Sequence, residues 1–287
     1  MNVSNSSRLV LGRLLIAAAA CAAIQSANAT LLFEDGFNYS TGALGSGDVT
    51  PAGLSGNAWA GGSSHIAIVS GDLTYAGLED LGGNSIQDTW GVSGGSVFNT
   101  YTDQNITTTT SIYYSFLLDA TTAPSASTYL TALNSGVNTP NGSSDELQVN
   151  VTPATGGYEV GLRTPGKSIT PDTATILSLG TTYLVVVEYT FGATGSASLF
   201  LDPVPGASQP AAAVTLAGNG TVTDIDDVGF KAQTSGTTGT FLMDNILIGT
   251  SWADVTPQAV PEPQSCALLL AGLGSLGLFV RSRRARK

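Results

Sequence analysis

The densest group of side chains that could bind a metal ion is an acidic run in the last quarter of the chain. Asp224, Asp226 and Asp227 fall within four residues, and Asp244 follows after one further strand-like segment. Carboxylates are the ligands that Ca²⁺ prefers, often together with backbone carbonyls. The spacing does not match the ligand positions of an EF-hand loop. The run therefore predicts either a non-EF calcium site, which would be the protein's one cofactor, or a solvated acidic turn before a strand.

The residues that commonly carry catalysis are sparse. His65 is the only histidine, and no Gly-x-Ser-x-Gly elbow surrounds a serine of the body, so catalysis by a Ser-His-Asp triad or by several histidines on a metal is not indicated. Glycoside hydrolases need two carboxylates roughly 5–10 Å apart. Glu159 and Glu188 each stand alone in a strand-like segment. We therefore expect that the protein is not an enzyme; the alternative is a glycan-active hydrolase whose carboxylate pair the sequence does not reveal.

Two tryptophans are candidates for contact with sugar rings. Trp59 and Trp90 both lie in Gly-rich segments that favour exposed loops. Aromatic faces stack on flat ligands, but large aromatic side chains more often fill protein cores. The sequence therefore suggests Trp59 and Trp90 as carbohydrate-binding residues, with burial in the core as the alternative.

The charge distribution limits the partners of this protein. Between residues 30 and 259 there are twenty acidic residues and only three basic ones, Arg163, Lys167 and Lys231. Such a body is repelled by the phosphates of nucleic acids and by anionic lipid surfaces. Both cysteines, Cys21 and Cys266, lie in apolar segments near the ends, so the body contains no disulfide or zinc-thiolate site. Nucleic acid is excluded as a partner.

The body of the chain has the pattern of an all-β protein. Short apolar or alternating segments recur between Gly- and Pro-containing turns, and no stretch of ten residues keeps a helical period. Residues 30–257 are therefore predicted to form one two-sheet β-sandwich domain. The predicted strands are Leu31–Glu34, Ile66–Val69, Ile112–Leu118, Tyr129–Leu133, Leu147–Val151, Tyr158–Leu162, Tyr183–Phe191, Ser198–Leu201, Val228–Lys231 and Phe241–Ile248. In the clearest of them, one face is predicted to carry Glu188 and Thr190, and the other to carry Tyr183, Val185, Val187, Tyr189 and Phe191.

The N-terminal segment is typical of a secretory signal. Arg8 and Arg13 precede an apolar stretch, 14–24, and Ala27 and Ala29 then give the small-x-small pattern of a cleavage site. Residues 1–29 are therefore predicted to be a signal peptide. Signal peptidase would be the first processing partner, and the mature chain would begin near Thr30.

The C-terminal segment, 258–287, combines three features in a fixed order. Val260, Pro261, Glu262 and Pro263 precede an apolar run of fifteen residues, which ends at a basic tail containing Arg281, Arg283 and Arg284. A helix of that length rises about 22 Å against a hydrocarbon core of about 30 Å. Basic residues remain on the cytoplasmic side. The pattern predicts a short transmembrane helix, through which alone the protein would contact the membrane before processing.

Taken together, these three features resemble the PEP-CTERM sorting signal of Gram-negative bacteria. The resemblance implies that an exosortase recognises the segment and removes the tail near Pro261–Pro263. It also implies transient anchoring in the inner membrane, followed by delivery to the cell surface or the extracellular matrix.

The two edges of the body resemble the first and last strands of laminin-G-like, concanavalin A-like domains. The segments that carry this resemblance are 33–44 (FEDGFNYSTGAL) and 244–255 (DNILIGTSWADV). The resemblance implies a jelly-roll sandwich whose terminal strands pair with each other. The expected function is that of a non-enzymatic exported protein that binds extracellular polysaccharide. The alternatives are a hydrolase on the same fold and a purely structural component of the matrix.

Overall fold

The computed structural model describes residues 30–45, 58–91, 96–100, 111–134, 145–192, 195–217, 225, 227–232 and 237–259. Their regular structure is almost entirely β: fifteen strands and one helical turn, α1 (Trp252–Val255). The strands are β1 (Leu31–Asp35), β2 (Gly42–Gly45), β3 (Ala60–Val69), β4 (Ser85–Trp90), β5 (Ser96–Thr100), β6 (Ser111–Thr122), β7 (Thr128–Asn134), β8 (Asp145–Ala154), β9 (Gly157–Arg163), β10 (Thr170–Pro171), β11 (Tyr183–Thr190), β12 (Ser196–Leu201), β13 (Val214–Ala217), β14 (Asp227–Lys231) and β15 (Gly239–Gly249).

The strands form two antiparallel sheets. Sheet I has the order β13-β12-β11-β6-β15-β4-β3-β2, and β1 pairs with the second half of β15 beside β4. Sheet II has the order β10-β9-β8-β7-β14-β5. The first residues of β3, Ala60 and Gly61, pair with β5 and so join the two sheets at one edge. This arrangement agrees with the predicted β-sandwich.

The first and last strands of the body pair, as the resemblance implied. Leu31 lies opposite Gly249, and Asp35 lies opposite Ile246. The adjacent ladder between β15 and β6 contains a bulge after Asp244, where Asn245 adopts a left-handed conformation with φ of 52°. Asparagine tolerates this conformation better than most residues. The bulge changes which side chains of β15 face the interior.

Alternation along the strands builds the core between the sheets. In β11, Val185, Val187 and Tyr189 point inward and pack with inward-facing residues of sheet II such as Val149. All of these side chains are at most 1% exposed. Each buried apolar side chain contributes about 1.5–3 kcal/mol of transfer free energy. This interior holds the two sheets together.

The outer face of sheet I is also apolar and is covered. Leu184 and Val186 on the second face of β11 are buried in a separate cluster with Leu117, Phe200 and Leu247. Side chains from the segments 73–81, 212 and 252–255 complete that cluster. The sequence predicted Glu188 and Thr190 on this face, but not that the face would be largely buried.

All ten predicted strands are present, and five short strands were missed. The missed strands are β2, β4, β5, β10 and β13. His65, the only histidine, lies within β3.

Candidate functional site

The outer face of sheet II is polar, in contrast to that of sheet I. In β8 the apolar residues Leu147, Val149 and Val151 belong to the core. Because successive side chains of a strand point to opposite faces, Gln148, Asn150 and Thr152 point outward. The residue sequence Leu-Gln-Val-Asn-Val-Thr thus gives a strand with one apolar and one amide- and hydroxyl-bearing side.

Neighbouring strands extend this surface. Gln148 lies opposite Arg163 of β9 and Ala132 of β7, and Asn150 lies opposite Tyr129 of β7. We use the term polar face for the outward residues of these strands: Tyr129 and Asn134 of β7, Gln148, Asn150 and Thr152 of β8, Glu159 and Arg163 of β9, and Asp227 and Lys231 of β14.

Two cations are held on the polar face by neutral partners. Arg163 donates from Nη1 to Oε1 of Gln148 at 3.4 Å and from Nε to the carbonyl of Lys167 at 3.1 Å. A turn places that carbonyl, because the N–H of Lys167 donates to the carbonyl of Thr164 at 3.0 Å. Nζ of Lys231 lies 5.0 Å from the centre of the Tyr129 ring, which is within the range of a cation–π interaction. Both side chains are partly buried.

Within the described ranges, Asn134, Asn150 and Thr152 of the polar face each have one buried polar atom without a hydrogen-bond partner. These atoms are Oδ1 of Asn134, Oδ1 of Asn150 and Oγ1 of Thr152. The amide nitrogens of both asparagines are engaged: Asn134 donates to Asp227 at 3.3 Å, and Asn150 donates to the carbonyl of Gln148 at 3.2 Å. Buried polar atoms are normally paired, with protein groups or with ordered water. The polar face therefore retains hydrogen-bonding capacity that the described residues do not use.

The two predicted sugar-binding tryptophans are buried, which contradicts the sequence prediction. Trp59 is fully buried against Phe37 and Phe230, with ring centroids 6.0 and 5.3 Å away, and its Nε1 donates to Asp35 at 2.8 Å. Trp90 is 4% exposed and packs on Phe241 at 4.5 Å. Neither indole presents a face to solvent. The Gly-rich flanks suggested loops, but the hydrophobic gain from burying a large aromatic ring determined their position.

The acidic run proposed for calcium is only partly described. Asp227 is buried on the polar face, whereas Asp224 and Asp226 lie outside the described residues. Asp244 does not approach this run, because it lies on the outer face of sheet I, on the opposite side of the sandwich. Within the described ranges, no group of three or more His, Cys, Asp or Glu residues is placed to hold a metal ion. The calcium site at Asp224, Asp226 and Asp227 stays a prediction.

Asp244 belongs to a network that holds the cover of sheet I. Its Oδ2 accepts from the N–H of Leu73 at 2.9 Å, and its Oδ1 accepts from the N–H of Asn245 at 2.7 Å. Burial, together with the neighbouring Asp72, raises the pKa of Asp244 to about 9. A shift in this direction means that the carboxyl group is protonated at neutral pH. Its hydrogen bonds fix the backbone of the covering segment and indicate a structural role.

The core contains one further carboxyl group. Asp88 is fully buried between Ile86 and Trp90 on the inward side of β4. Nε1 of Trp90 donates to its Oδ2 at 2.8 Å, and its Oδ1 has no partner. Burial raises the pKa of Asp88 to about 7. With no second carboxylate described beside it in the core, Asp88 does not form a glycosidase-type pair.

The sorting signal is supported by comparison with known families. Residues 259–284 match the PEP-CTERM protein-sorting motif. The motif supports export, sorting to the cell surface and processing by an exosortase. The predicted processing residues Ala27, Ala29, Val260, Pro261, Glu262 and Pro263, and the basic residues Arg281, Arg283 and Arg284, lie outside the described residues. Among the residues that the structure describes, no helix is long and apolar enough to cross a bilayer.

Solved structures with similar β architecture include several glycan-active enzymes. A Trypanosoma rangeli sialidase matches over 79% of this chain and 31% of its own, with 13% identity and a TM-score of 0.43. A carbohydrate esterase of the Shiga toxin-encoding bacteriophage phi24B matches over 77% of this chain and 99% of its own, with 13% identity and a TM-score of 0.47. An alginate lyase of Pseudomonas aeruginosa matches over 61% and 86%, with 10% identity and a TM-score of 0.40. The chain thus spans about a third of the sialidase's length. No curated protein matches the sequence.

These matches correct one prediction. The expectation that the protein is not an enzyme is contradicted, because enzymes that act on glycans recur among the similar structures. At these identities and TM-scores the likeness assigns no reaction and no catalytic residue to this chain.

Proposed function

We propose that this protein is exported, sorted through its C-terminal signal and binds extracellular polysaccharide through the polar face of sheet II. The signal peptide 1–29 would be removed after Ala29, and an exosortase would cut near Pro261–Pro263. The domain 30–257 would then reach the cell surface or the extracellular matrix. The match of residues 259–284 to the sorting motif supports this route.

The observation that carries the binding proposal is the set of unpaired polar atoms on the polar face. Oδ1 of Asn134, Oδ1 of Asn150 and Oγ1 of Thr152 are buried acceptors without a partner. Sugar hydroxyl groups donate as well as accept hydrogen bonds, so they complement such acceptors. A ligand or water that donates to these atoms removes a desolvation cost of about 1–3 kcal/mol for each. Tyr129 lies in the same row as Asn150, and Nζ of Lys231 lies over its ring.

The fold proposal accompanies this function. We propose that the sandwich is a jelly roll of the concanavalin A-like, laminin-G-like kind. The pairing of β1 with β15 and the presence of two packed antiparallel sheets support it. Since folds host many functions, this resemblance by itself does not specify a ligand.

The test uses the exported and processed protein purified from cells. Binding to a panel of bacterial and algal polysaccharides would be measured by affinity electrophoresis and by titration calorimetry. We expect saturable binding to at least one class and a loss of about tenfold in affinity for Asn150→Leu, which removes both polar atoms of the side chain at similar volume. The matched control is Ser208→Ala, an exposed residue of the loop after β12, which should bind like the wild type.

Two results would contradict the proposal. The first is the absence of binding across the panel, which would favour a structural component of the matrix. The second is binding that Asn150→Leu leaves unchanged, because the polar face would then not be the contact surface. Loss of binding in the presence of a chelator would point to calcium at the run that contains Asp227.

A further inference from the structure

The basic residues of the body are few, and they lie in one place. Between residues 30 and 259 the chain has twenty acidic residues and three basic ones. Arg163 and Lys231 lie on the polar face, and Lys167 follows Arg163 in the turn after β9, where its carbonyl accepts from Nε of Arg163. All positive side-chain charge of the body is therefore on or next to the polar face.

None of these three cations forms an ion pair within the described residues. The partners of Arg163 are an amide oxygen and a backbone carbonyl. Lys231 lies over an aromatic ring. Lys167 is exposed. The hydrogen bonds of Arg163 and the ring contact of Lys231 leave both positive charges without a carboxylate partner among the described residues.

Residues that lie opposite one another on neighbouring strands form rows across the polar face. The cations and the acidic residues occupy different rows. One middle row contains Arg163 and Gln148, and the next contains Asn150 and Tyr129, with Lys231 packed on Tyr129. The acidic side chains occupy the outer rows: Glu159 opposite Thr152 at one end, and Asp227 opposite Asn134 at the other. The middle rows thus combine buried amides and a buried ring with two cations that are partly exposed.

The spacing of the two cations suits an extended ligand. Arg163 is on β9 and Lys231 is on β14, with β8 and β7 between them. Gly229 of β14 shares the row of Arg163, and Lys231 lies two residues further along. Three spacings of about 4.8 Å across the sheet and about 6.6 Å along β14 place the two residues roughly 16 Å apart. A linear polymer with a negative group on successive sugar units can contact both, whereas a single small anion cannot.

We infer that the polysaccharide bound at the polar face is anionic, with carboxylate or sulfate groups that contact Arg163 and Lys231. The inference rests on the proposed function, since it names the ligand class of the same site. Arginine suits this role because its planar guanidinium presents five N–H donors, two of which are used by the contacts described above. Local attraction must act against the net negative body, so binding depends on screening of the more distant acidic residues.

The experiment compares one polymer in two charge states. The probes are polygalacturonate and the same polymer after reduction of its carboxyl groups to alcohols, so that chain length and linkage are shared. Affinities would be measured by titration calorimetry on the exported and processed protein. We expect the acidic form to bind about tenfold more tightly than the reduced form, and Arg163→Gln and Lys231→Gln each to lower affinity for the acidic form about tenfold. Affinity for the reduced form should fall by a smaller factor, because only the acidic form loses a charge–charge contact.

A matched control separates local contact from net charge. Ser208→Asp changes the net charge by the same amount as Arg163→Gln, at an exposed position of sheet I's loop. It should leave both affinities within about twofold of the wild type, since exposed charges beyond a Debye length of about 8–10 Å are screened at physiological salt. Circular dichroism would verify folding of each variant. If Arg163→Gln fails to fold, Lys231→Gln alone decides the test, because removing an ammonium group over a ring leaves the sheet contacts intact.

The outcomes distinguish this inference from the proposed function. Equal binding of both polymers, weakened by Asn150→Leu, would overturn the anionic ligand and leave the polysaccharide site standing. Preference for the acidic polymer that persists in Arg163→Gln and Lys231→Gln would overturn the role of these cations. Binding of neither polymer, nor of any polysaccharide in the wider panel, would overturn both.

Discussion

The polar side chains on the two outer faces of the sandwich differ in their hydrogen bonding. On sheet I, Asp244 and Asn245 bond to backbone groups of the segment 73–81, and Oγ of Ser115 donates to the carbonyl of Val255 at 2.7 Å. On sheet II, Asn150 keeps an unpaired oxygen. The first pattern secures a covering segment, and the second leaves capacity for a ligand. Because Oδ1 of Asp119 and Oδ1 of Asp254, on the sheet I side, also have no partner among the described residues, the contrast between the faces lies in their asparagines.

The covered face gives the largest predicted effect. Oδ1 of Asn245 accepts from the N–H of Leu81 at 3.0 Å, its Nδ2 donates to the carbonyl of Glu79 at 3.0 Å, and its φ is 52°. Asn245→Leu removes both bonds and places a bulky residue in the left-handed region. We expect a loss of about 3–5 kcal/mol in the free energy of unfolding, measured by urea titration.

A glycine at the same position separates the two causes. Asn245→Gly relieves the backbone strain but still lacks the hydrogen bonds, so it should recover about 1–2 kcal/mol of the loss. Destabilisation below about 1 kcal/mol for Asn245→Leu would show that the cover of sheet I does not depend on this side chain, and the contrast between the faces would lose its basis.

The next largest predicted change in the free energy of unfolding concerns the core between the two sheets, and it depends on pH. The pKa of Asp88 is raised by burial to about 7 in the folded protein, above the ordinary value of about 3.9 in the unfolded chain. The folded state therefore binds the proton more tightly. The contribution of Asp88 to stability is fully present below about pH 4 and is lost as the pH rises through 7.

Asp88→Asn tests this dependence. At pH 8 the variant avoids a buried charge, and we expect it to be about 2–3 kcal/mol more stable than the wild type, after allowance for one unpaired amide N–H. At pH 4 the folded wild type is neutral at this position, and the unpaired amide N–H should leave the variant about 1 kcal/mol less stable. Thermal unfolding across this range measures the difference; a gap that does not change with pH would mean that Asp88 does not titrate in it.

On the polar face the predicted change in stability has the opposite sign to that at Asn245. Asn150 is fully buried, and its oxygen has no partner. Asn150→Leu should therefore raise the free energy of unfolding by about 1–2 kcal/mol, while it lowers polysaccharide affinity. Such a trade of stability for function is typical of binding sites. A destabilised Asn150→Leu would instead indicate that the amide serves the fold.

Much of the fold could be predicted from the sequence, because a clear alternation of apolar and polar residues indicates a strand. Tyr183–Phe191 is an example, and its inward residues were correctly assigned. The short strands were missed because their patterns are weak: Gly42–Gly45 has one apolar side chain of any size, and Ser85–Trp90 carries Asp88 at a core position. The cover of sheet I was not foreseen, since nothing local to residues 73–81 shows which surface they pack on.

The candidate site was harder to predict than the fold. Arg163, Gln148 and Tyr129 come from the consecutive strands β9, β8 and β7, whereas Lys231 comes from β14, which is distant in the sequence. Isolated amides and single cations carry no motif, so only the register between strands brings them together. The one sequence feature that could have indicated this site is the presence of only three basic residues in an acidic body. In contrast, Trp59 and Trp90 were predicted to bind sugars because of their residue type, although both belong to the core.

The smallest predicted effect lies at the rim of the covered face. Trp252 packs on Phe200 with ring centroids 5.0 Å apart, and its Nε1 donates to the carbonyl of Ala207 at 3.0 Å. Trp252→Phe keeps most of the packing and loses a solvent-accessible hydrogen bond, so we expect a loss of about 0.5–1 kcal/mol in urea titration, with polysaccharide affinity unchanged. Because Trp252 and Asn150 lie on opposite sides of the sandwich, their effects on stability should add within about 0.5 kcal/mol in the double variant. A larger coupling, or weaker polysaccharide binding by Trp252→Phe, would mean that the two faces communicate through the core.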